Sequence, residues 1–407
     1  AILTTLPQKG DLLVLDQLVH ASAHEGGRSG RAQMVTVAHN DPGAIEAAIR
    51  AWRAAGGTGR VWIAVESLYS MDGDRAPLDD LAALADENGF LVGWGVGTAT
   101  FPAIMFQGNA RAVIRADGKG VMETGAHDMG QGAWTALAQI SADSLGLDFD
   151  QLTFRSGSSD LPDAGIAGGS GHTATVGAAI HNAGAAVIAK LAELATSDER
   201  SPLFGAGNAG VVARGGRLHR RDDDARSESY AEILARAGVA EVEGSGTGAA
   251  DATAQSQYAM HAHGAVFAEV KVDPELGQIR ATRMVGAFAA GRIINPLMVR
   301  SQLYGGMIWG LSFALHEEAV MDHRSGRILN ANLAEYHVPV NADVPPMEVI
   351  TVDEHDPHVN PLGIKGVGEI GITGSAGAVA NAVFHATGIR VRNFPIKIED
   401  VVMGLSG

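Results

Sequence analysis

The chain contains no cysteine among its 407 residues. This absence excludes disulfide bonds, thiolate metal sites, cysteine-ligated iron–sulfur clusters and a cysteine nucleophile within the chain. It also means that thiol usage gives no information about the redox compartment. Stability must come from an apolar core, and a hydrophobic content of 46% supplies ample material for one.

Positive charge is in deficit as well, because 30 lysine and arginine residues face 46 acidic residues and the net charge is -16. We therefore expect no nucleic-acid partner and no binding to an anionic membrane surface, unless a local basic patch exists. The most basic stretch, residues 214–226, carries its own acids. It is predicted to be a solvated surface loop.

Long apolar runs are also missing. No window offers the roughly 18 consecutive apolar residues of a membrane helix, so we expect no membrane span. The apolar segment at residues 183–195 is shorter and contains charges, and it is predicted to be a core helix. The first residues lack a Met, a basic region and an unbroken apolar stretch, so no secretory signal is expected there.

The length of 407 residues predicts two or three domains. In residues 1–92, helix and strand patterns alternate, which is typical of an α/β fragment with a parallel sheet. One helix is predicted to start at the cap Asp41 with Pro42 in its first turn, and another covers residues 77–89. We place a domain boundary near Gly93, which leaves residues 93–407 as the second region.

Residues 93–407 combine glycine-punctuated strands with long helices, which predicts an α+β region. The sequence "ARAVIRADGKGVMETGA" is typical of a hairpin that turns at "ADGKG". The polar stretch at residues 196–253 is predicted to be loop with one short helix, "SESYAEILARAG".

Two glycine-rich segments each precede an apolar helix. The first, "DMGQG", comes directly before a helix predicted at Ala133–Leu145, whose N-terminal amides we expect to be free to bind an anion. The second, "GGSGHTATVG", repeats this arrangement and leads into Thr173, Ala174 and Thr175. The alternative for each segment is a plain glycine turn before a core helix.

One acid, Glu369, lies among glycine, valine and isoleucine in "KGVGEIGITG". This composition predicts a buried carboxylate, and burial without a paired cation raises the pKa of a carboxylate towards neutrality, as a general base requires. The alternative is a loop glutamate whose carboxylate reaches water while the glycines turn the chain.

Several other motifs carry weaker signals. "GAGNAG" at residues 205–210 fits G-x-G-x-x-G, but no apolar strand precedes it, so a dinucleotide fold is not predicted. His316 and His323 have the wrong spacing for a zinc helix. The loop "DEHDPHVNP" holds histidines and acids that suit a divalent ion, although a polar loop is the preferred interpretation. We assign no role to the histidines of "MHAHG", and Trp309 is predicted to lie in the core.

Residues 1–92 resemble the α-oxoamine synthases, which are fold-type I enzymes that use pyridoxal phosphate. The similar stretches are "LVHASAHEGGRSGRA", "AHNDPGAIEAAI" and "ESLYSMDGDRAPL". By this resemblance, His20 would stack on the pyridine ring and Ser70 would bond its hydroxyl. The family's later aspartate and Schiff-base lysine have no counterpart, so pyridoxal phosphate is not expected as a cofactor. A fragment of an acyl-CoA:amino acid transferase remains as an alternative function.

The remainder resembles the C-terminal, second molybdopterin-binding half of the xanthine dehydrogenase and aldehyde oxidoreductase large subunit. The resemblance rests on ordered blocks, including "AHDMGQGAWTALAQISADSLGL", "AGGSGHTATVGAAIHNA" and "VNPLGIKGVGEIGITGSAGAVANAVFHATG". It implies that Glu369 is the general base beside molybdenum, which is held through the pterin dithiolene without a protein ligand. It also implies that the cofactor is contacted by Met129, Gly130, Gln131, Gly132, Thr173, Ala174 and Thr175.

The same resemblance implies an enzyme that hydroxylates an aldehyde or an N-heterocycle with oxygen from water. The cofactor would be molybdenum–molybdopterin, including its cytosine dinucleotide form, and electrons would pass to iron–sulfur and FAD subunits. We expect a cytoplasmic location, with export to the periplasm on a partner's signal as the alternative. The family's first molybdopterin half is missing here, so a non-catalytic remnant that only binds partner subunits is a further alternative.

Overall fold

The computed structural model describes residues 2–5, 7–65 and 90–405. The chain divides into two compact units. The first unit comprises Ala1–Gly95, Glu269–Thr282 and Ala380–Gly407, and the second comprises Val96–Ala268 and Arg283–Val379. Two sequence predictions, the helix at residues 77–89 and the role of Ser70, lie outside the described residues. The division into residues 1–92 and 93–407 stays a prediction.

The start of the first unit is a three-stranded parallel sheet in the order β2-β1-β3. Its elements are α1 (Ile2–Thr5), β1 (Leu12–Asp16), α2 (Ala21–Arg28), β2 (Gln33–Val37), α3 (Pro42–Ala54) and β3 (Val61–Ala64). The central strand β1 is buried along its whole length, as expected for a parallel strand that is covered on both faces. The predicted alternation of helix and strand around a parallel sheet is confirmed in this part of the chain.

Helix α3 begins as its sequence predicts. Asp41 is the N-cap, and its Oδ1 accepts a hydrogen bond of 2.9 Å from the backbone N–H of Ala44. Pro42 occupies the first helical position, where its missing N–H costs no hydrogen bond. The apolar side of α3 buries Ile45 and Trp52 in one core with alternate residues of β1.

The rest of the described chain contains most of the regular structure. Its strands are β4 (Leu91–Pro102), β5 (Gly108–Arg115), β6 (Gly120–Glu123), β7 (Leu152–Arg155), β8 (Val211–Arg214), β9 (Arg217–Arg220), β10 (Asp223–Ser229), β11 (Glu241–Gly248), β12 (His261–Val272), β13 (Ile279–Ala289), β14 (Met321–Asp322), β15 (Arg327–Ile328) and β16 (Met347–Thr351). Its helices are α4 (Ala133–Leu145), α5 (His172–Thr196), α6 (Tyr230–Ala237), α7 (Ala252–Gln257), α8 (Pro296–Leu315), α9 (Ile370–Thr373), α10 (Ser375–Thr387) and α11 (Ile398–Leu405).

The core of the second unit lies between a four-stranded sheet, in the order β11-β5-β6-β7, and helices α4 and α5. Strands β5 and β6 form the predicted antiparallel hairpin. Three alternate glycines of β11 face α5, and a Cβ at Gly246 would lie 2.3 Å from the carbonyl oxygen of Ala179. The absence of side chains on this face of β11 therefore lets the helix backbone rest directly on the strand.

Helix α5 contains the segment that was predicted to be a core helix. Among the described residues, α5 is the helix that is long and apolar enough to cross a membrane, but 61% of its most apolar window is buried inside the protein. Its side chains Ala183, Val187 and Leu191 have no exposed surface. The packing of α5 against a sheet explains its apolar composition and confirms the core-helix prediction.

The prediction of a surface loop at residues 214–226, and of loop with one helix across residues 196–253, is wrong in part. Helix α6 is present and Ser229 caps it, but strands β8, β9 and β10 form an antiparallel sheet. The charged side chains of this sheet form ion pairs with near neighbours in sequence. Nη2 of Arg214 lies 2.6 Å from Oδ1 of Asp224, and Nε of Arg220 lies 2.7 Å from Oδ1 of Asp222. Charged and polar residues interrupt these short strands, which bury only Val211, Leu218 and Glu228, so they lack the apolar alternation that predicts a strand.

Helix α8 corrects the prediction for Trp309. This side chain is 60% exposed, and Leu297 and Phe313 of the same helix are exposed as well. Leu303, Met307 and Leu311 of this helix are buried. Because α8 is apolar on both sides, its composition does not indicate which side faces the core.

Candidate functional site

The second unit contains a cavity of about 320 Å³. Four segments that are distant in sequence line it: the turn and first residues of α4, the glycine-rich turn before α5, the beginning of α8 with the residues preceding it, and residues 364–369. Both glycine-led helix starts and the loop that carries Glu369 therefore meet at one cavity.

Glu369 immediately precedes the short helix α9 and lines the cavity. The prediction of a buried carboxylate is wrong in part, because the residue is half-buried, with its side chain at the cavity wall. Its Oε2 accepts a hydrogen bond of 2.7 Å from Oγ of Ser170. Within the described residues, no donor contacts the other oxygen, Oε1. One carboxylate oxygen is thus held and the other is available to a ligand.

Ser170 lies in the turn before α5 and has a φ of 53°, which is uncommon for a residue other than glycine. Its backbone packs directly against the Glu369 loop, because a Cβ at Gly366 would lie 1.9 Å from the carbonyl oxygen of Ser170. Only glycine at position 366 allows the two loops to approach this closely.

Lys365 anchors the loop that carries Glu369. Its side chain is 3% exposed, and Nζ lies 2.7 Å from Glu354 and 3.0 Å from Asp356. Burial lowers the pKa of Lys365, but hydrogen bonds to Glu354 and Asp356 outweigh it and leave the pKa above its ordinary value. Nζ also donates to the carbonyl oxygen of His261 at 3.1 Å. The loop is therefore fixed four residues before Glu369.

The start of α4 differs from the prediction of free amides. Oδ1 of Asp128 accepts hydrogen bonds from the N–H groups of Gly130 at 2.8 Å and Gly132 at 3.3 Å. Oδ2 accepts from the N–H of Trp134 at 3.1 Å. Burial raises the pKa of Asp128, but these backbone donors outweigh it and lower the pKa below its ordinary value. A protein carboxylate thus occupies the place where we expected a bound anion.

The start of α5 has no such carboxylate. Gly171 is its N-cap, and no side chain of the described residues caps the helix through it. The first amides of a helix have no acceptor within the helix, so this start remains suited to an anion. Thr173 lines the cavity, whereas Ala174 and Thr175 are buried beside it and do not. The hydroxyl of Thr175 instead accepts from the N–H of Phe106 at 3.0 Å.

The other predicted contacts divide in the same way. Met129, Gln131 and Gly132 line the cavity, but Gly130 does not. The amide oxygen of Gln131 accepts from the N–H of Met129 at 2.6 Å, so part of this side chain shapes the turn.

His172, which the sequence interpretation did not identify, also lines the cavity. It is 6% exposed, its Nδ1 lies 3.3 Å from the carbonyl oxygen of Ile166, and its Nε2 is buried without a hydrogen-bond partner among the described residues. Burial lowers its pKa, and the neighbouring His127, with ring centroids 5.0 Å apart, lowers it further. The sequence signal was a histidine directly after "GGSG", at the first position of a helix.

In the first unit, His20 is exposed and is the N-cap of α2. Its Nδ1 lies 2.8 Å from Oγ of Ser22 and accepts from the N–H of the same residue at 3.2 Å. The ring therefore serves as a helix cap. Ser70, the second residue of the suggested pyridoxal phosphate site, lies outside the described residues.

The weaker motifs form no second site in the described part of the chain. No group of three or more histidine and acidic side chains there is arranged to hold a metal ion. In the "DEHDPHVNP" loop, Glu354 and Asp356 bind Lys365, and His358 stacks on Tyr258 with ring centroids 4.1 Å apart. The glycines of "GAGNAG" lead into a 3-10 turn, Asn208–Gly210, followed by strand β8 and not by a helix.

Comparison with known proteins finds two families. Residues 75–345 match the molybdopterin cofactor-binding domain family, and residues 1–92 match the aminotransferase class I and II family. The aldehyde oxidoreductase molybdenum-binding subunit PaoC of Escherichia coli K12 is 34% identical over 313 residues, which are 77% of this chain and 41% of that protein. The 6-hydroxypseudooxynicotine dehydrogenase complex subunit gamma of Paenarthrobacter nicotinovorans is 28% identical over 79% of this chain and 40% of that protein.

Solved structures give the same fold. Quinoline 2-oxidoreductase from Pseudomonas putida 86 is similar with a TM-score of 0.72 and 25% identity, over 81% of this chain and 43% of that one. A CO dehydrogenase from Oligotropha carboxidovorans has a TM-score of 0.68 and 22% identity, over 80% of this chain and 42% of that one, and this likeness supports the fold alone. The chain spans about two fifths of the length of the curated relatives described above.

Proposed function

The chain belongs to the family of molybdopterin cofactor-binding domains, and on this premise we propose that it is part of the large subunit of a molybdenum hydroxylase. The reaction would oxidise an aldehyde or an N-heterocycle by hydroxylation with oxygen from water. The observation that carries the proposal is the position of Glu369 on the wall of a cavity that is also lined by the two glycine-led helix starts.

The residues around the cavity fit a polar, partly anionic cofactor. The uncapped start of α5 suits a phosphate, and the buried Nε2 of His172 lacks the partner that a buried polar atom normally has. Gln131, Gly132 and Thr173 line the same space. We assign cofactor contacts to these lining residues and to Met129, while Gly130, Ala174 and Thr175 support their backbone.

In this proposal, Glu369 is the general base. When bound, the molybdenum cofactor supplies two-electron oxidation chemistry and activates water. Oε1 of Glu369 takes the proton of the attacking water, while Ser170 holds Oε2. Lys365 forms ion pairs with Glu354 and Asp356. These ion pairs fix the position of the loop that carries Glu369 on the cavity wall. No side chain of the chain is assigned as a direct metal ligand.

We infer that the electrons then leave through iron–sulfur clusters outside this sequence, because its 407 residues include no cysteine to hold one. We infer an iron–sulfur subunit and an FAD subunit as partners, and the cytosine dinucleotide form of molybdopterin as a candidate cofactor. Among substrates, aldehydes are preferred to heterocycles, because the aldehyde oxidoreductase subunit is a relative at 34% identity. We propose a cytoplasmic location, with export alongside a partner subunit as the alternative.

The test is to purify the chain, to measure its molybdenum and pterin content, and to assay oxidation of an aldehyde with an artificial electron acceptor. Glu369→Gln should retain the cofactor content of the wild type and reduce kcat by about 10²–10⁴-fold, the usual contribution of a general base. Glu241→Gln is the control, because this acid is exposed at the start of β11.

The outcomes separate the alternatives. A Glu369→Gln variant with the wild-type rate would remove the catalytic role of Glu369. Cofactor binding without turnover by the wild type would instead support the second candidate function, a non-catalytic remnant that binds partner subunits. An absorbance band in the visible region on adding pyridoxal phosphate would support the transferase alternative.

A further inference from the structure

We propose that Ser170 is a positioning residue that selects the orientation of the Glu369 carboxylate. This inference rests on the proposed function, because it concerns the residue that we assign as the base. It depends on three observations: the backbone conformation of Ser170, its hydrogen bond to Glu369, and the close packing of the two loops.

The first observation is that the position is better suited to glycine than to serine. Ser170 has a φ of 53°, and its neighbours Gly168, Gly169 and Gly171 show that glycine is freely used in this turn. Glycine adopts the left-handed region without steric cost, whereas serine does not. The backbone alone therefore gives no reason for a side chain at position 170.

The second observation supplies the reason. Oγ of Ser170 donates to Oε2 of Glu369 at 2.7 Å, which is a short hydrogen bond to a carboxylate. A carboxylate at the end of a glutamate side chain otherwise rotates among several orientations. With Oε2 held by the hydroxyl, Oε1 is the oxygen that faces an incoming ligand.

The third observation is that the donor is itself held in place. The carbonyl group of Ser170 packs against Gly366, and a Cβ at Gly368 would lie 3.2 Å from Oγ of Ser170. The hydroxyl of Ser170 is therefore in contact with the loop that carries Glu369, the acceptor of its hydrogen bond. Displacement of Ser170 requires movement of the 366–368 backbone, which Lys365 anchors.

The experiment compares Ser170→Ala, Ser170→Gly and Ser170→Thr in the cofactor-loaded protein. Both variants without the hydroxyl should lose about tenfold to hundredfold in kcat, with KM changed less than about twofold, because a base that is slightly misplaced slows chemistry more than binding. Ser170→Thr keeps the hydroxyl but adds a β-methyl group to a residue in the left-handed region, so it should recover only part of kcat. Ser144→Ala is the control, since it removes a serine hydroxyl that bonds only within α4.

Thermal unfolding of the cofactor-free chain gives an independent measurement. Ser170→Gly should unfold at a higher temperature than Ser170→Ala, because both lack the hydroxyl but only alanine retains the left-handed strain. In a double-mutant cycle of Ser170→Ala with Glu369→Ala, which removes the acceptor of this hydrogen bond, the double variant should be less destabilised than the sum of the two single variants.

Wild-type kcat in Ser170→Ala, or additive destabilisation in the cycle, would overturn the positioning role. If the wild type shows no turnover, the proposed function fails, and the cycle still decides whether Ser170 holds Glu369. If Glu369→Gln is inactive but Ser170→Ala is not, the proposed function stands and the positioning role does not.

Discussion

Nζ of Lys365 lies 2.7 Å from Oε1 of Glu354, in a contact that leaves only 3% of the lysine side chain exposed. Asp356 lies on the same ammonium group at 3.0 Å. These two ion pairs join the two ends of the loop at residues 354–365, which ends four residues before Glu369. Because both acids are only partly exposed, removal of the lysine leaves them without a counter-charge in a poorly solvated place.

We therefore predict that Lys365→Met destabilises the protein by about 3 kcal/mol, the lower end of the usual cost of breaking a buried ion pair. Urea denaturation at neutral pH measures this. The exposed Lys119→Met should change the free energy of unfolding by less than about 0.5 kcal/mol. Equal effects of the two substitutions would contradict an anchoring role for Lys365.

The second prediction concerns pH and His172. Burial holds the pKa of this ring below its ordinary value of 6.5, so the unfolded chain takes up a proton more readily than the folded one. The stability contribution is complete above pH 6.5 and is lost as the pH falls through the folded-state pKa. His172→Gln removes it, so the difference in unfolding free energy between wild type and variant should be constant above pH 6.5 and decrease below.

Denaturation curves at a series of pH values measure this difference. His385 is the positive control, because burial also lowers its pKa below 6.5, and His385→Gln should change the pH dependence in the same direction. A difference between wild type and His172→Gln that stays flat on acidification would mean that the ring is not held neutral in the folded protein.

The third prediction tests the close contact between β11 and α5. A Cβ at Gly246 would meet the carbonyl oxygen of Ala179 at 2.3 Å, and backbone atoms cannot move aside as a flexible side chain can. Gly246→Ala should destabilise the protein by about 1–3 kcal/mol, as overpacking usually does. Gly305→Ala, in the exposed part of α8 where a Cβ meets nothing within 4 Å, should stabilise it by up to about 1 kcal/mol. Thermal denaturation of both variants measures these two changes in stability.

The fourth prediction concerns the exposed face of α8. Trp309→Ala should cost less than about 1 kcal/mol, because its side chain is 60% exposed. Leu311→Ala, two residues further along the same helix and fully buried, should cost about 2–5 kcal/mol. Chemical denaturation compares the two. A cost for Trp309→Ala as large as that for Leu311→Ala would restore the sequence prediction that Trp309 is a core residue.

Elements with strong local signals could be predicted from the sequence. The hairpin at "ADGKG" has turn residues between two apolar strands, and α4 has the bounds Ala133–Leu145 that its apolar pattern predicts. Strands β8 to β10 could not be predicted, because they are short, rich in charged residues and bury only Val211, Leu218 and Glu228. Trp309 was misplaced because both sides of α8 are apolar.

For the site, sequence patterns identified three of the four segments that line the cavity. They did not indicate which hydrogen bonds these segments form. The occupation of the α4 amides by Asp128 depends on a turn that brings a side chain back onto its own following residues. The positive φ of Ser170 and its bond to Glu369 are long-range properties of the folded chain. The orphaned nitrogen of His172 likewise exists only once neighbouring segments exclude water.

The separation of 199 positions between Ser170 and Glu369 has a consequence for biosynthesis. During translation, α4 and α5 can emerge and pack before the residues after Lys365 have been made, because domains begin to fold from the N-terminal side. The wall that carries the carboxylate closes the cavity only when residues 366–369 have left the ribosome. If the proposed function is correct, nascent chains truncated before residue 365 should not retain a pterin.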